Sequence, residues 1–169
     1  MRIAPAFYTL PAPEMAKALL GKLLCRRLEN GQILRLRITE TEAYYGEDDT
    51  ACHAHRGRTK RTETLYREGG VAYVYLCYGI HELFNIVSGK KDFPEACLIR
   101  GVEGFMGPGR LTRALSIDRS LNGADLRTSP FIWLEDDGFT PTYKAGSRIG
   151  IGYATKEDQE RMWRFKVSM

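Results

Sequence analysis

"KLLCRRLENGQILRLRITETEAY", residues 22–44, decides the fold. Two Leu- and Ile-rich runs flank Asn30-Gly31, a pair that favours a hairpin turn because both residues tolerate left-handed backbone. In the second run Leu34, Leu36 and Ile38 share one face, and Arg35, Arg37 and Thr39 take the other. Continued without a break, that register sets Glu40, Glu42 and Tyr44 on the apolar side. A carboxylate on an apolar face is unfavourable unless something holds or uses it. Two readings follow. Either the strand ends near Ile38 and the glutamates face water or pair with arginines, their ordinary fate, or a half-buried carboxylate sits at the mouth of a cleft, placed to act as a general base.

The flanking sequence extends the pattern. "PAPEMAKALLG" (11–21) predicts a helix with Pro13 in its opening turn, Glu14 at its positive end and Gly21 as its stop. "VAYVYLCYG" (71–79) and "HELFNIVSG" (81–89) predict a second hairpin turning at Tyr78-Gly79. "EACLIRGVE", "SRIGIGYA" and "WRFKVS" read as further strands, and "GPGRLTRALSI" as a loop entering a short helix. Segments 46–62, 103–109 and 136–147 read as loops. Strands outnumber helices and are joined mainly by hairpins, which predicts one α+β domain, 1–169, built on a largely antiparallel sheet.

At 169 residues a single domain with a substantial core is expected. No apolar run approaches the ~20 residues of a membrane span, and the N-terminal residues carry no apolar signal segment. The four cysteines, Cys25, Cys52, Cys77 and Cys97, form no CxxC pair; reduced thiols in a cytoplasmic protein are the expectation. A net charge of +4 mildly favours a polyanionic partner.

Against that balance, residues 40–61 set five carboxylates (Glu40, Glu42, Glu47, Asp48, Asp49) beside four bases (Arg56, Arg58, Lys60, Arg61). Tyr44, Tyr45, Tyr73, Tyr75 and Tyr78 are five of the nine tyrosines. Aromatic residues favour strands in any case, but phenols around a carboxylate also make a slot for a flat, partly polar ligand such as a nucleobase. Cys52, His53, His55 and Asp48 could instead ligate a metal, though His-x-His lacks a matching second half. Cys52 or Cys77 could be a nucleophile, with no local motif in support. A non-catalytic nucleic-acid module using the basic loop 56–61 is a further alternative.

Five runs, in order, resemble the alkyladenine (3-methyladenine) DNA glycosylase family: "ITETEAYYGEDDTACHAHRGRT", "GVAYVYLCYGIHELFNIVS", "ACLIRGVE", "GPGRLTRAL" and "RIGIGYA". They span almost the whole chain. The resemblance implies a curved antiparallel sheet and a monofunctional enzyme that flips an alkylated or deaminated purine from double-stranded DNA, releases it and leaves an abasic site. By the same resemblance Glu42 is the general base, and Arg100 helps it hold the water. Tyr44 and His53 sandwich the base with Tyr75, and the backbone at His53 bonds its edge. Asn85 rejects guanine, and Tyr78 wedges into the vacated stack. No metal or other cofactor, membrane or obligate protein partner is implied, and one protomer suffices. Arg56, Arg58, Lys60 and Arg110 are the expected phosphate contacts, positioning the protein on DNA without reading sequence. The connection "GVEGFM" after Arg100 is shorter than the helical insert of many relatives.

Overall fold

In the computed structural model, which describes residues 1–168, one antiparallel sheet curls into a half-barrel around a main core, with two smaller buried clusters beside it. Strand β1 (Leu23–Arg27) and the thirteen-residue β2 (Ile33–Tyr45) form the first hairpin, with Gly31 in the left-handed region at φ 87°. β3 (Ala72–Cys77) and β4 (His81–Val87) form the second, and β5 (Glu95–Val102) lies between β4 and β2. The sheet runs β3-β4-β5-β2-β1-β7, where β7 is Ile132–Glu135. A two-residue β6 (Phe105–Met106) extends β5, while β8 (Tyr143–Gly146) pairs with β9 (Arg164–Val167), which adds to β2 at Glu40–Glu42.

Helix α1 (Ala12–Leu19) closes the inner face of the sheet. Its Met15, Ala16 and Leu19 are fully buried, each of the larger two contributing about 1.5–3 kcal/mol of burial. The helix stops before Gly21, whose φ of 87° no side chain adopts without strain. Its Ala12 N–H donates to Glu95 Oε1 at 2.5 Å, satisfying one of the open donors of its first turn. α2 (Pro108–Ala114) packs on β4 and β5, and a short α3 (Lys156–Glu160) precedes β9.

The unbroken alternation expected of β2 does not hold. Ile38, Thr41 and Ala43 all face inward: Ile38 and Ala43 lie in the main core, and Thr41 Oγ1 donates to the Ala16 carbonyl of α1 at 2.7 Å. Opposite them Ile99 and Val102, also three apart, lie in the same core. The ladder is irregular between these points, with Glu40 facing Gly101 between the pairs Ile38–Val102 and Thr41–Ile99. Both strands therefore reverse their facing at one place. Glu42 and Tyr44 end up not on the α1 side, as simple parity predicts, but on the opposite face.

Segment 147–154, expected as a strand from "SRIGIGYA", is irregular. Gly150 takes φ 75° there, and the Ile149 N–H is spent on a glutamate carboxylate rather than a ladder. Strands β6 and β8 lie inside segments expected as loops; the first three residues of β8 are exposed, so no apolar alternation marked it. β7 and α3 were not expected either.

Candidate active site

Directly opposed residues of antiparallel strands share a face, and one such row crosses four strands: Tyr73 on β3, Asn85 on β4, Leu98 on β5 and Glu42 on β2. At about 4.8 Å per strand the row spans roughly 14 Å. The neighbouring row, Ala72, Ile86, Cys97 and Ala43, points into the core. Tyr75 and Leu83 extend the first row's face on one side, and Tyr44 and Ala96 on the other.

Glu42 has no exposed surface, and beyond it the row continues to Arg164 on β9. Three groups hold it. The Tyr44 hydroxyl donates to Oε1 at 2.8 Å, the Ile149 backbone N–H donates to Oε2 at 2.7 Å, and Arg100 Nη1 stands 3.6 Å from Oε1. Burial pushes the carboxyl above its ordinary range, and Arg100, the Ile149 N–H, Tyr44 and Arg148 only partly offset it. Tyr44, Arg100 and Ile149 also line an open cleft of about 720 Å³, together with His53, Tyr75 and Leu98. A smaller recess beneath is lined by Tyr44, Cys52, His53, Tyr73 and Asn85 among others.

His53 begins a 3-10 turn, His53–Arg56, that lays its ring on the tyrosines of β3. Its Nδ1 lies 2.9 Å from the Tyr73 hydroxyl, and its centroid lies 4.5 Å from that of Tyr75. Rings that close admit nothing between them. His53 and Tyr75 therefore form one wall. Burial, then Arg61 and Arg56, lower the His53 pKa to about 4, so the ring is neutral near pH 7. Asn85, buried, donates from Nδ2 to the Tyr73 carbonyl at 3.2 Å.

Tyr78 stands at the tip of the second hairpin, 86% exposed, with φ 53° beside Gly79 at φ 67°. A tyrosine in left-handed backbone is uncommon and strained. Arg56, Lys60 and Arg110 are exposed, and Arg110 lines the cleft. Arg58 is not free: Glu63 Oε1 lies 2.7 Å and Asp92 Oδ1 3.2 Å from its guanidinium, which also covers the Tyr66 ring.

Several residues at the site escaped sequence reasoning. Arg148 is buried, bonded to Asp49 at 2.6 and 3.0 Å and to the Ala43 and Asp158 carbonyls, with its guanidinium 5.0 Å from the Tyr44 ring centroid. It locks the end of β2 to segment 147–155. Tyr153 donates to the Ala51 carbonyl while lining the cleft, and Arg61, named only as one of the loop's bases, covers Tyr75 at 5.6 Å. The one available signal was "RIGIGYA", read as a strand. The possible metal ligands diverge: His55 Nδ1 lies against the Glu47 carbonyl and His53 against Tyr73. Among the described residues no three His, Cys, Asp or Glu side chains converge as a cation site. Burial pushes the Cys52 thiol up to about 12, which leaves it unsuited to nucleophilic attack. No described helix is long and apolar enough to cross a membrane.

The family model described as "Methylpurine-DNA glycosylase (MPG)" matches residues 6–106 and 103–169. Curated relatives bearing the name "Putative 3-methyladenine DNA glycosylase" include one from Psychrobacter cryohalolentis, 46% identical, with 90% of this chain and 85% of the relative aligned. Another, from Natranaerobius thermophilus, is 40% identical over 99% of this chain and 96% of its own length. A third, from Methanocella arvoryzae, is 43% identical, with 94% of this chain and 88% of the relative aligned.

Proposed function

The chain belongs to the methylpurine-DNA glycosylase family, and from that premise we propose that it hydrolyses the N-glycosidic bond of alkylated or deaminated purines flipped from duplex DNA, with Glu42 as the general base. The observation that carries this reading is the buried Glu42 in a row of slot-facing side chains, behind groups that line the cleft.

A glycosidic bond inside a duplex is out of reach, so the nucleotide must swing out at a cost of a few kcal/mol, less at a damaged or mispaired site. Exposed Tyr78 suits the wedge that fills the vacated stack. The flipped purine would lie between the His53–Tyr75 wall and Tyr44, with Asn85 beneath, where a guanine 2-amino group would meet it. A stacked base gains ~1–3 kcal/mol, and a cationic alkylpurine gains more from phenol faces.

As the C1′–N bond breaks, its electron pair leaves with the purine: an N3- or N7-alkylated purine departs neutral, and a neutral purine such as hypoxanthine departs as an anion that takes up a proton from solvent. Positive charge grows on the sugar, and ionised Glu42 stabilises it. Water held by Arg100 and Glu42 adds to C1′, its proton passing to the carboxylate. The products are the free base and an abasic site in an uncut strand. Exposed Arg56, Lys60 and Arg110 suit phosphate contacts.

The test is incubation with a duplex carrying one hypoxanthine or 7-methylguanine, followed by alkali, with and without EDTA. The reading expects alkali-labile strands that persist under chelation. It also expects Glu42→Gln to bind the duplex while release falls by about 10³-fold or more. Full release by that variant would eliminate the mechanism, and binding without release by the parent would reduce the protein to a binding module.

A further inference from the structure

Glu40 is a further buried carboxylate beside Glu42, and the reaction above gives it no task. It is 7% exposed and sits where β2 and β5 reverse their facing. Two guanidinium groups approach it. Arg164, from β9, donates from Nη1 to Glu40 Oε2 at 3.1 Å and from Nε to the Ser147 carbonyl at 2.7 Å. Arg100 Nε stands 3.7 Å from the same Glu40 oxygen, while its Nη1 stands 3.6 Å from Glu42. Charge-assisted bonds of this type ordinarily run ~2.7–2.9 Å. Arg100 Nε is buried and has no hydrogen-bond partner, a condition that native structures rarely leave without a reason. Arg100 is thus suspended between two carboxylates.

We infer that Glu40 is a positioning residue: it holds Arg100 short of Glu42, with Arg164 setting the strength of its pull, so that Arg100 keeps N–H groups for the water and Glu42 keeps a free lone pair. This rests on the reading of Glu42 as the base. The groups facing Glu42 are Glu40 and the Tyr44 hydroxyl from β2, Arg100 from β5 and Arg164 from β9. Tyr75 faces it from β3, and Arg148, the Ile149 N–H and Tyr153 from segment 147–155. Among these, Arg100 is the cation that bridges Glu40 and Glu42.

The two neighbours of Arg100 can be removed with opposite consequences. In Glu40→Gln a negative neighbour disappears and Arg100 is released toward Glu42, both of which favour the ionised acid. In Arg164→Leu a positive neighbour disappears and Glu40 draws Arg100 away, both of which oppose ionisation.

The experiment follows the Glu42 carboxyl by side-chain carbon NMR titration of the DNA-free protein, assigned with Glu42→Gln, alongside the pH profile of single-turnover release. Glu40→Gln should move the Glu42 titration and the acid limb down by about half to one pH unit. Arg164→Leu should move both up, and Glu40→Asp should restore much of the parent behaviour. A titration that stays put, or shifts in the same direction in both variants, overturns the inference. If Glu40→Gln fails to fold, Arg164→Leu, altered at a part-exposed side chain, carries the test alone. Shifts as stated in a protein that releases no base would uphold the positioning and overturn Glu42 as the base, so the two readings fail separately.

Discussion

The Tyr44 hydroxyl donates to Glu42 Oε1 at 2.8 Å, two positions away on the same strand and the same face. One side chain thus offers its ring to the slot and its hydroxyl to the acid. The hydrogen bond stabilises the ionised carboxylate, so its removal raises an already raised Glu42 pKa. Tyr44→Phe keeps the ring. Its acid limb should move up by as much as about one pH unit, with lesion affinity changed less than about threefold. Single-turnover pH profiles check this; an unmoved limb would separate the hydroxyl from the chemistry.

His53 is neutral down to about pH 4. The acid limb should therefore follow Glu42, and His53→Gln should weaken lesion binding while leaving the limb where it was. A limb that vanished with His53 would reassign the titrating group.

The basic residues are not equivalent. Arg56, Lys60 and Arg110 are exposed, whereas Arg58 is paired with Glu63 and Asp92. Alanine at each of the first three should reduce the salt slope of duplex binding by about one. Arg58→Ala should change it much less. Anisotropy titrations on undamaged duplex over a range of KCl read the difference directly.

Tyr78 touches solvent over 86% of its surface. Tyr78→Ala should therefore leave the thermal midpoint nearly unchanged and slow release from a paired duplex by about 10- to 100-fold. The deficit should shrink when the lesion sits in an unpaired loop, where unstacking is cheaper. Equal deficits on both substrates would remove the wedge.

Glu95 lies away from the slot, beneath the start of α1, and burial raises its pKa to about 7. A carboxyl whose native pKa exceeds its unfolded value binds more protons when folded, so its contribution to stability falls as pH rises from about 4.5 through 7. Glu95→Gln keeps an acceptor for Ala12. Its stability relative to the parent should improve by roughly 1–3 kcal/mol between pH 5 and pH 8, as urea denaturation at the two pH values can measure.

Much of this was legible in sequence because it is local. Asn30-Gly31 and Tyr78-Gly79 announce their turns, and Pro13, Glu14 and Gly21 delimit α1. What was not legible depends on distant partners. The facing of Glu42 is set by the match of Ile38 and Thr41 to Val102 and Ile99, which no count along β2 reveals. Ile149 reads as a strand residue, yet its N–H serves a carboxylate 107 positions away. The neutralisation of Arg58 by Asp92 crosses 34 positions. Alternation describes a strand alone, whereas facing at an irregular ladder belongs to the pair.

The step that turns Glu42 away from α1 has a consequence for insertions and deletions. Each of two adjoining strands carries one residue more between its inward-facing side chains than strict two-residue repetition calls for: Ile38 to Thr41 on one, Ile99 to Val102 on the other. Shortening either strand alone would throw its partner one step out of match. Shortening both together keeps the match, but Arg100 lies within the second interval. Loss of the surplus from that interval therefore threatens the guanidinium as well as the geometry, and chain length here is constrained as tightly as residue identity.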